Sequence, residues 1–322
     1  MITLYELTKL VKDAKTLNEV FPTDIHTDFQ KYMHIAHPDK GGDNAVYSVL
    51  VEWHSEHRTN PDWRTVRVNS HSLEGMKVRF SYGDEEIGVK VKESQVYNYF
   101  LNSSGVYIAI PKHPSSNDLA ERDVKSLAKI HAFTDSSNVE FVSIMKNYFP
   151  VVKGMTNIKS GSFSYKVFSF THPKGEPYSI SEIVKKYPKG IDVDHVSWIF
   201  RRYLVCLQYL TMVGVKHNAI TPDNLWIDDI NHGVVLTNFS NSGSTPPYVI
   251  ASPYNQDDLS SLITCMVMLQ SGQTDLDHSG FPDNRKRLLN RALENPYKYT
   301  PFELHEEYGS LLGTKTFKEL KI

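Results

Sequence analysis

The stretch His37-Pro38-Asp39-Lys40-Gly41-Gly42 places an imidazole and a carboxylate on either side of a proline. Proline fixes the loop, and the two flanking side chains can offer charge-assisted hydrogen bonds to a partner. The same residues also fit a turn that stops one helix and caps the next through Asp39. Farther along, His217 fits either a general base or a core histidine bracing a loop. Asn224 and Asn238 are of the type that caps loops through side-chain amides. The only cysteines, Cys206 and Cys265, each sit inside an apolar helical pattern and read as reduced core thiols rather than nucleophiles or a disulfide. None of the 14 histidines pairs at ligand spacing with cysteine or carboxylate partners, so no structural metal is expected.

The elements that must position these residues change character near residue 60. Before it, apolar residues recur at helical spacing: Leu7, Leu10, Val11 and Ala14; then Ile25, Phe29, Met33 and Ala36; then Val46, Val49, Leu50 and Trp53. Three helices are predicted, with His37-Pro38-Asp39 between the second and third. Residues 61–75 turn polar after Asn60-Pro61 and read as a linker. Strand-length apolar pieces follow at 76–82, 87–91, 96–101 and 106–110. Beyond Leu119 helices dominate, interrupted by a strand region around 163–170. At 322 residues, 40% hydrophobic and 22% charged, the chain suits one or two globular domains. A formal net charge of −2 gives no general pull toward nucleic acid. No run of about 18 apolar residues and no secretion-signal pattern occurs, so a soluble cytoplasmic protein without a membrane span is expected.

On the placement of its His-Pro-Asp loop between two helices and the Asp-Lys-Gly-Gly continuation, the first segment resembles the J-domain of DnaJ-type co-chaperones. The resemblance implies that His37, Pro38 and Asp39 bind the ATPase of a DnaK-type heat-shock chaperone. It departs from the family in charge. The stretch 24–36 offers Lys31, His26 and His34 where the family is strongly basic, and residues 1–70 carry eight Lys and Arg against ten Asp and Glu. Electrostatic steering toward an acidic partner would be feeble.

The second resemblance rests on three ordered motifs. Val213-Gly-Val-Lys-His217-Asn-Ala-Ile-Thr-Pro-Asp-Asn224-Leu-Trp-Ile227 follows a long apolar helix predicted over 196–212, and it resembles the catalytic loop of protein kinases. Val235-Leu-Thr-Asn238-Phe239-Ser240 stands at the spacing of the Asp-Phe-Gly metal loop, and 258–272 resembles the buried helix that opens on aspartate and closes on glycine. The resemblance implies an α+β architecture: a three-helix module over 1–60, then a bilobal kinase-like fold over 76–322. Its small β-rich lobe would span about 76–150 and its large helical lobe about 151–322.

The same resemblance implies missing chemistry. Ala219 stands where the family has the aspartate that accepts the substrate proton, and Thr221 replaces the lysine two positions on. Asn238 replaces an anionic magnesium ligand, whereas Asn224 matches the family's second metal ligand. Val106-Tyr-Ile-Ala109-Ile-Pro-Lys112 puts Ala109 at the phosphate-binding lysine, with Lys112 three residues on and facing the other side. Glu121 suits the helix glutamate and would have lost its partner. The phosphate-covering loop falls at 89–96 and holds no glycine. Pro246-Pro247-Tyr248 and Tyr299 replace the two halves of a family ion pair. Tyr97, Tyr99 and Phe100 could line either the former nucleotide cleft or a peptide groove, while Trp198, Tyr203, Tyr209 and Trp226 read as core.

The whole resembles DnaJ-related proteins of bacteria and bacteriophages that join a J-domain to a kinase-like region. It implies a catalytically inactive adaptor, not an enzyme, with a DnaK-type chaperone and a further protein as partners and no cofactor. The alternative is a nucleotide-dependent transferase using ATP and magnesium in a reoriented pose, with Lys112, Glu121 or Asn224 recruited.

Overall fold

The computed structural model describes residues 2–13, 20, 25–38, 41–43, 45–51, 73–136, 140–160, 163–172, 177–228, 233–244, 256–272, 280–295, 298–313 and 320. The chain divides into two compact units, Met1–Asn69 and Ser70–Ile322.

In the first unit, α1 (Leu4–Asp13) and α2 (Ile25–Ala36) precede helical residues 45–51. Leu7, Tyr32, Ala36, Val46 and Leu50 close a small core, as their helical spacing demands. Asp43 caps the last segment by accepting from the amides of Ala45 (2.8 Å) and Val46 (3.2 Å). The chain reverses sharply after α2. A Cβ on Gly42 would lie 2.2 Å from the Ala36 carbonyl carbon, so only glycine fits there. Asp39 lies outside the described residues, as does most of the 61–75 stretch.

The second unit opens with a hairpin, β1 (Lys77–Phe80) and β2 (Gly83–Glu86). A five-stranded antiparallel sheet follows, formed by β3 (Val89–Glu93), β4 (Tyr97–Leu101), β5 (Val106–Pro111), β6 (Val151–Ser160) and β7 (Phe163–Thr171) in the order β3-β4-β5-β7-β6. Two expectations are corrected here. The predicted strand at 87–91 is the start of β3, with a separate β2 before it. The sheet also takes its last two strands from 151–171, so the β-rich lobe runs past the expected boundary of about 150. Helix α3 (Asn117–Asp135) crosses between β5 and β6, and buries Ala120, Asp123, Leu127, Ile130 and Thr134 on one face.

The large lobe is helical. After β8 (Tyr178–Ser179), α5 (Ile180–Lys186) starts from a Ser179/Glu182 capping box; the short α4 (Glu140–Met145) lies earlier in the chain. Helix α6 (Val193–Val213) ends at Gly214, whose φ of 72° is the left-handed conformation that glycine adopts without strain. Short strands β9 (Val215–Lys216), β10 (Leu225–Asp228), β11 (Gly233–Leu236) and β12 (Gly243–Ser244) follow, then α7 (Gln256–Ser271), α8 (Asp283–Glu294) and α9 (Pro301–Ser310). Cys206 and Cys265 are both buried and free in this core, and burial pushes both thiols up, that of Cys265 to about 12. Among the described residues no helix is long and apolar enough to cross a membrane.

Candidate functional site

The loop from β9 to β10 carries His217, Ala219 and Asn224, and buried hydrogen bonds fix its path. The Asp258 carboxylate, at the start of α7, accepts from the amides of His217 and Asn218, both at 2.9 Å. Burial pushes Asp258 up to about 6, and the two amide bonds pull in the opposite direction. Asn218 takes a φ of 58°, a conformation asparagine tolerates better than most residues. His217 is fully buried, which lowers its pKa to about 4. Its Nε2 donates to the Thr237 carbonyl (2.9 Å) while Nδ1 accepts from the Ala219 amide (3.2 Å). Both ring nitrogens are thus occupied, and the ring meets Phe239 edge-on at 4.6 Å. His217 braces the loop and is not placed as a general base.

Asn224 and Asn238 are turned toward the loop and each other. The Asn224 amide donates to the Ala219 carbonyl at 2.8 Å, and its Oδ1 accepts from the Asn238 amide at 3.1 Å. Asn238 sits at φ 62°, with its Oδ1 buried and unpartnered among the described residues. Magnesium favours carboxylate oxygens and several waters in octahedral array. Two neutral amides bonded to one another do not supply that set. Among the described residues no group of three His, Cys, Asp or Glu could hold a metal.

Above this floor the sheet presents aromatic rings. Alternation along the strands places Tyr97 and Tyr99 of β4, Tyr107 and Ala109 of β5, and Phe168 and Phe170 of β7 in one buried cluster. The registers Tyr99↔Ala109, Ala109↔Phe168 and Tyr107↔Phe170 bring them side by side. Trp226 of β10 rises from the large lobe into the same cluster and is 1% exposed. Its ring lies 5.5 Å from Tyr99, 5.7 Å from Tyr107 and 6.5 Å from Phe170. The small methyl of Ala109 is what lets rings from both neighbouring strands close over this position. Edge-to-face pairs of this kind contribute about 0.5–1.5 kcal/mol each beyond burial. The period of two puts Tyr97 and Tyr99, Tyr107 and Ala109, and Phe168 and Phe170 on one face of the sheet, where Tyr97 and Tyr99 fill the space between the lobes. Phe100 is buried on the strand's other face.

Helix α3 corrects one expected role. Glu121 has a partner: it pairs with Lys166 of β7 and lies 3.9 Å from Lys125, and these cations hold its carboxyl below the usual range. The carboxylate facing inward is Asp123, which is 1% exposed. Burial pushes it up to about 7, while the Phe239 amide and the Tyr97 hydroxyl pull the other way without forming bonds of regular geometry. Arg122 donates to the Ser240 carbonyl (3.3 Å), Ser126 and Ser242 share a 2.6 Å bond, and Lys129 donates to the Gly214 carbonyl (2.9 Å). The first two bonds tie α3 to the segment that follows Asn238, and the third ties it to the end of α6.

Lys112 faces the outer mouth of the cleft and lies 3.7 Å from Glu93. The mouth is a 470 Å³ cavity whose lining includes Lys90, Lys92, Lys112, Glu182, Lys185 and Asp223. Lys92 pairs with Glu182 and stands 5.5 Å above the Trp226 ring. Burial is the largest influence on Glu182 and opposes ionisation, yet Lys92 and the Ser179 amide hold its carboxyl below the usual range. Glu121 does not line this cavity, and Asn224 is consumed by the loop. Pro246, Pro247 and Tyr248 lie outside the described residues, whereas Tyr299 is 5% exposed with the Lys298 ammonium 5.5 Å from its ring.

No family model matches the chain, and no curated protein matches it. Among solved structures it is similar to that of vaccinia related kinase 3, with a TM-score of 0.52 and 14% sequence identity over 76% of this chain and 93% of the other. The chain therefore contains a protein-kinase-like fold.

Proposed function

We propose that the second unit is a catalytically inactive kinase-like adaptor, and that the first is a J-domain-like module that recruits a DnaK-type chaperone to whatever protein the adaptor holds. The observation that carries the first half is the aromatic layer around Trp226, which occupies the space between sheet and large lobe. Phosphoryl transfer depends on charge placed around the phosphates, and in this fold a lysine on the sheet and a carboxylate on the metal loop supply much of it. Ala109 and Asn238 supply neither charge, and Ala219 cannot accept a proton.

The second half rests on His37-Pro38-Asp39 following α2. Pro38 is exposed, and the half-buried His37 ring packs edge-on against Tyr47 at 5.3 Å. Steady-state ATPase of a DnaK-type chaperone tests it. Stimulation by the full chain that is lost in Asp39→Asn is expected, and equal rates with and without the protein would sink the idea.

A second reading, a nucleotide-dependent transferase, is favoured only by the lysine-lined mouth of the cleft. It requires magnesium-dependent turnover of ATP that is lost in Lys112→Gln.

A further inference from the structure

A second cavity lies on the large lobe, away from the cleft. It has a volume of 330 Å³ and lies between α6 and α9, with Tyr148, Trp198, Arg201, Arg202, His305 and Gly309 in its wall. The cleft mouth mixes lysines with carboxylates, whereas this wall contains two guanidinium groups and no carboxylate. Spacing along α6 explains the cluster, since Trp198, Arg201, Arg202 and Val205 fall three or four residues apart on one face.

Both arginines are held in place by packing. The Arg202 guanidinium lies 5.7 Å from the centre of the Trp198 ring and donates to the Tyr148 hydroxyl at 3.3 Å. Arg201 lies against Gly309, where a Cβ would come within 3.2 Å of its Cζ and Nη2. Glycine inside a helix is unfavourable, and here its missing side chain gives the guanidinium room. Among the described residues Arg201 makes no ion pair or hydrogen bond, and the Nε atoms of both arginines are enclosed without partners. Such unpartnered donors do not favour folding, so a structural role does not explain the pair. Burial, then the nearby Arg201 charge, lowers the pKa of His305, while Glu306 at 3.0 Å opposes this.

We propose that this cavity binds a phosphate monoester carried on an aromatic stem. Two fixed guanidinium groups match a dianion and grip it in planar, bidentate fashion, which a lone carboxylate would only half neutralise. Trp198, Tyr148, Val205 and Leu312 form the wall on which the stem rests.

The test is calorimetric titration of the full chain with phenyl phosphate, inorganic phosphate and phenol. Phenyl phosphate binds with a dissociation constant at or below about 1 mM, inorganic phosphate binds about tenfold more weakly, and phenol does not bind. Arg201→Gln and Arg202→Gln each weaken phenyl phosphate about tenfold or more, and Arg202→Lys, which keeps the charge and loses the fork, falls between. Lys112→Gln, at the cleft mouth, leaves this binding unchanged, so the outcome is independent of the cleft. Melting curves of the unliganded variants verify that they fold. The proposal is overturned by absence of binding at roughly 10 mM phenyl phosphate, or by binding that survives both glutamine variants. Equal affinity for inorganic phosphate overturns the aromatic stem and leaves a free-phosphate site.

Discussion

The floor and the roof of the interlobe cleft are built from different chemistry. The floor is a polar loop in which Asp258, His217, Asn224 and Asn238 satisfy backbone groups or one another. The roof is apolar: Tyr97, Tyr99, Tyr107, Ala109, Phe168 and Phe170 close on Trp226. A loop path sustained by buried hydrogen bonds persists for reasons of folding alone, because breaking any bond strands a buried polar group. A charge at the roof has no such structural support, and replacing it with rings turns cleft into core. Retained motif residues are therefore poor witnesses to activity, while the residues that face them across the cleft are better ones.

The comparison breaks or sharpens under substitution. The largest effect is expected at the roof. Trp226→Ala removes a ring packed against Tyr99, Tyr107, Phe170 and His172 and should lower unfolding free energy by roughly 3–5 kcal/mol. A denaturant midpoint close to wild type would mean that the layer is not core. At the floor, Asp258→Ala leaves two buried amides without an acceptor and should lower stability by roughly 2–4 kcal/mol. Asp258→Asn keeps one acceptor oxygen and should fall between the alanine variant and wild type.

Asp123 separates roof from floor by pH. Its folded pKa, raised by burial to about 7, lies above the ordinary carboxyl value of 3.8. The native state therefore holds the proton that the unfolded chain releases, so its contribution to stability is full below about pH 4 and is lost as pH rises through about 7. Asp123→Asn removes this dependence. The variant should match wild type near pH 4 and exceed it by up to a few kcal/mol near pH 8, judged by chemical denaturation. His217 works in the opposite sense, since its lowered pKa of about 4 makes protonation a cost to the fold as pH falls below about 6.5. Comparing variant with wild type cancels that term. The smallest effect is expected at Lys92→Met. Its pair with Glu182 is partly exposed at the mouth, and its loss should change stability by less than about 1 kcal/mol.

Much of the floor was legible in the sequence because local signals agreed. The apolar helix, the loop after it and the 258–272 helix all fall close to where the motifs placed them. Strand β6 was missed because its side chains alternate between exposed and half-buried, with lysine, threonine and asparagine masking the period. Glu121 was chosen over Asp123 by motif position. Counting back from Ile130 and Leu127 in steps of three and four reaches Asp123 and Ala120, leaving Glu121 off the buried face. The aromatic layer needed the strand registers, which pair β5 with a strand some 60 positions on, and the approach of Trp226 from beyond the sheet, and no local pattern reports those.

The central claim is that this kinase-like cleft is closed to nucleotide. Thermal melting of the full chain with millimolar ATP and magnesium addresses it most directly. A ligand present at 100 times its dissociation constant would stabilise the folded state by about 2.7 kcal/mol, readily seen as a rise of several degrees. The account predicts no shift; a saturable rise that requires magnesium would contradict it.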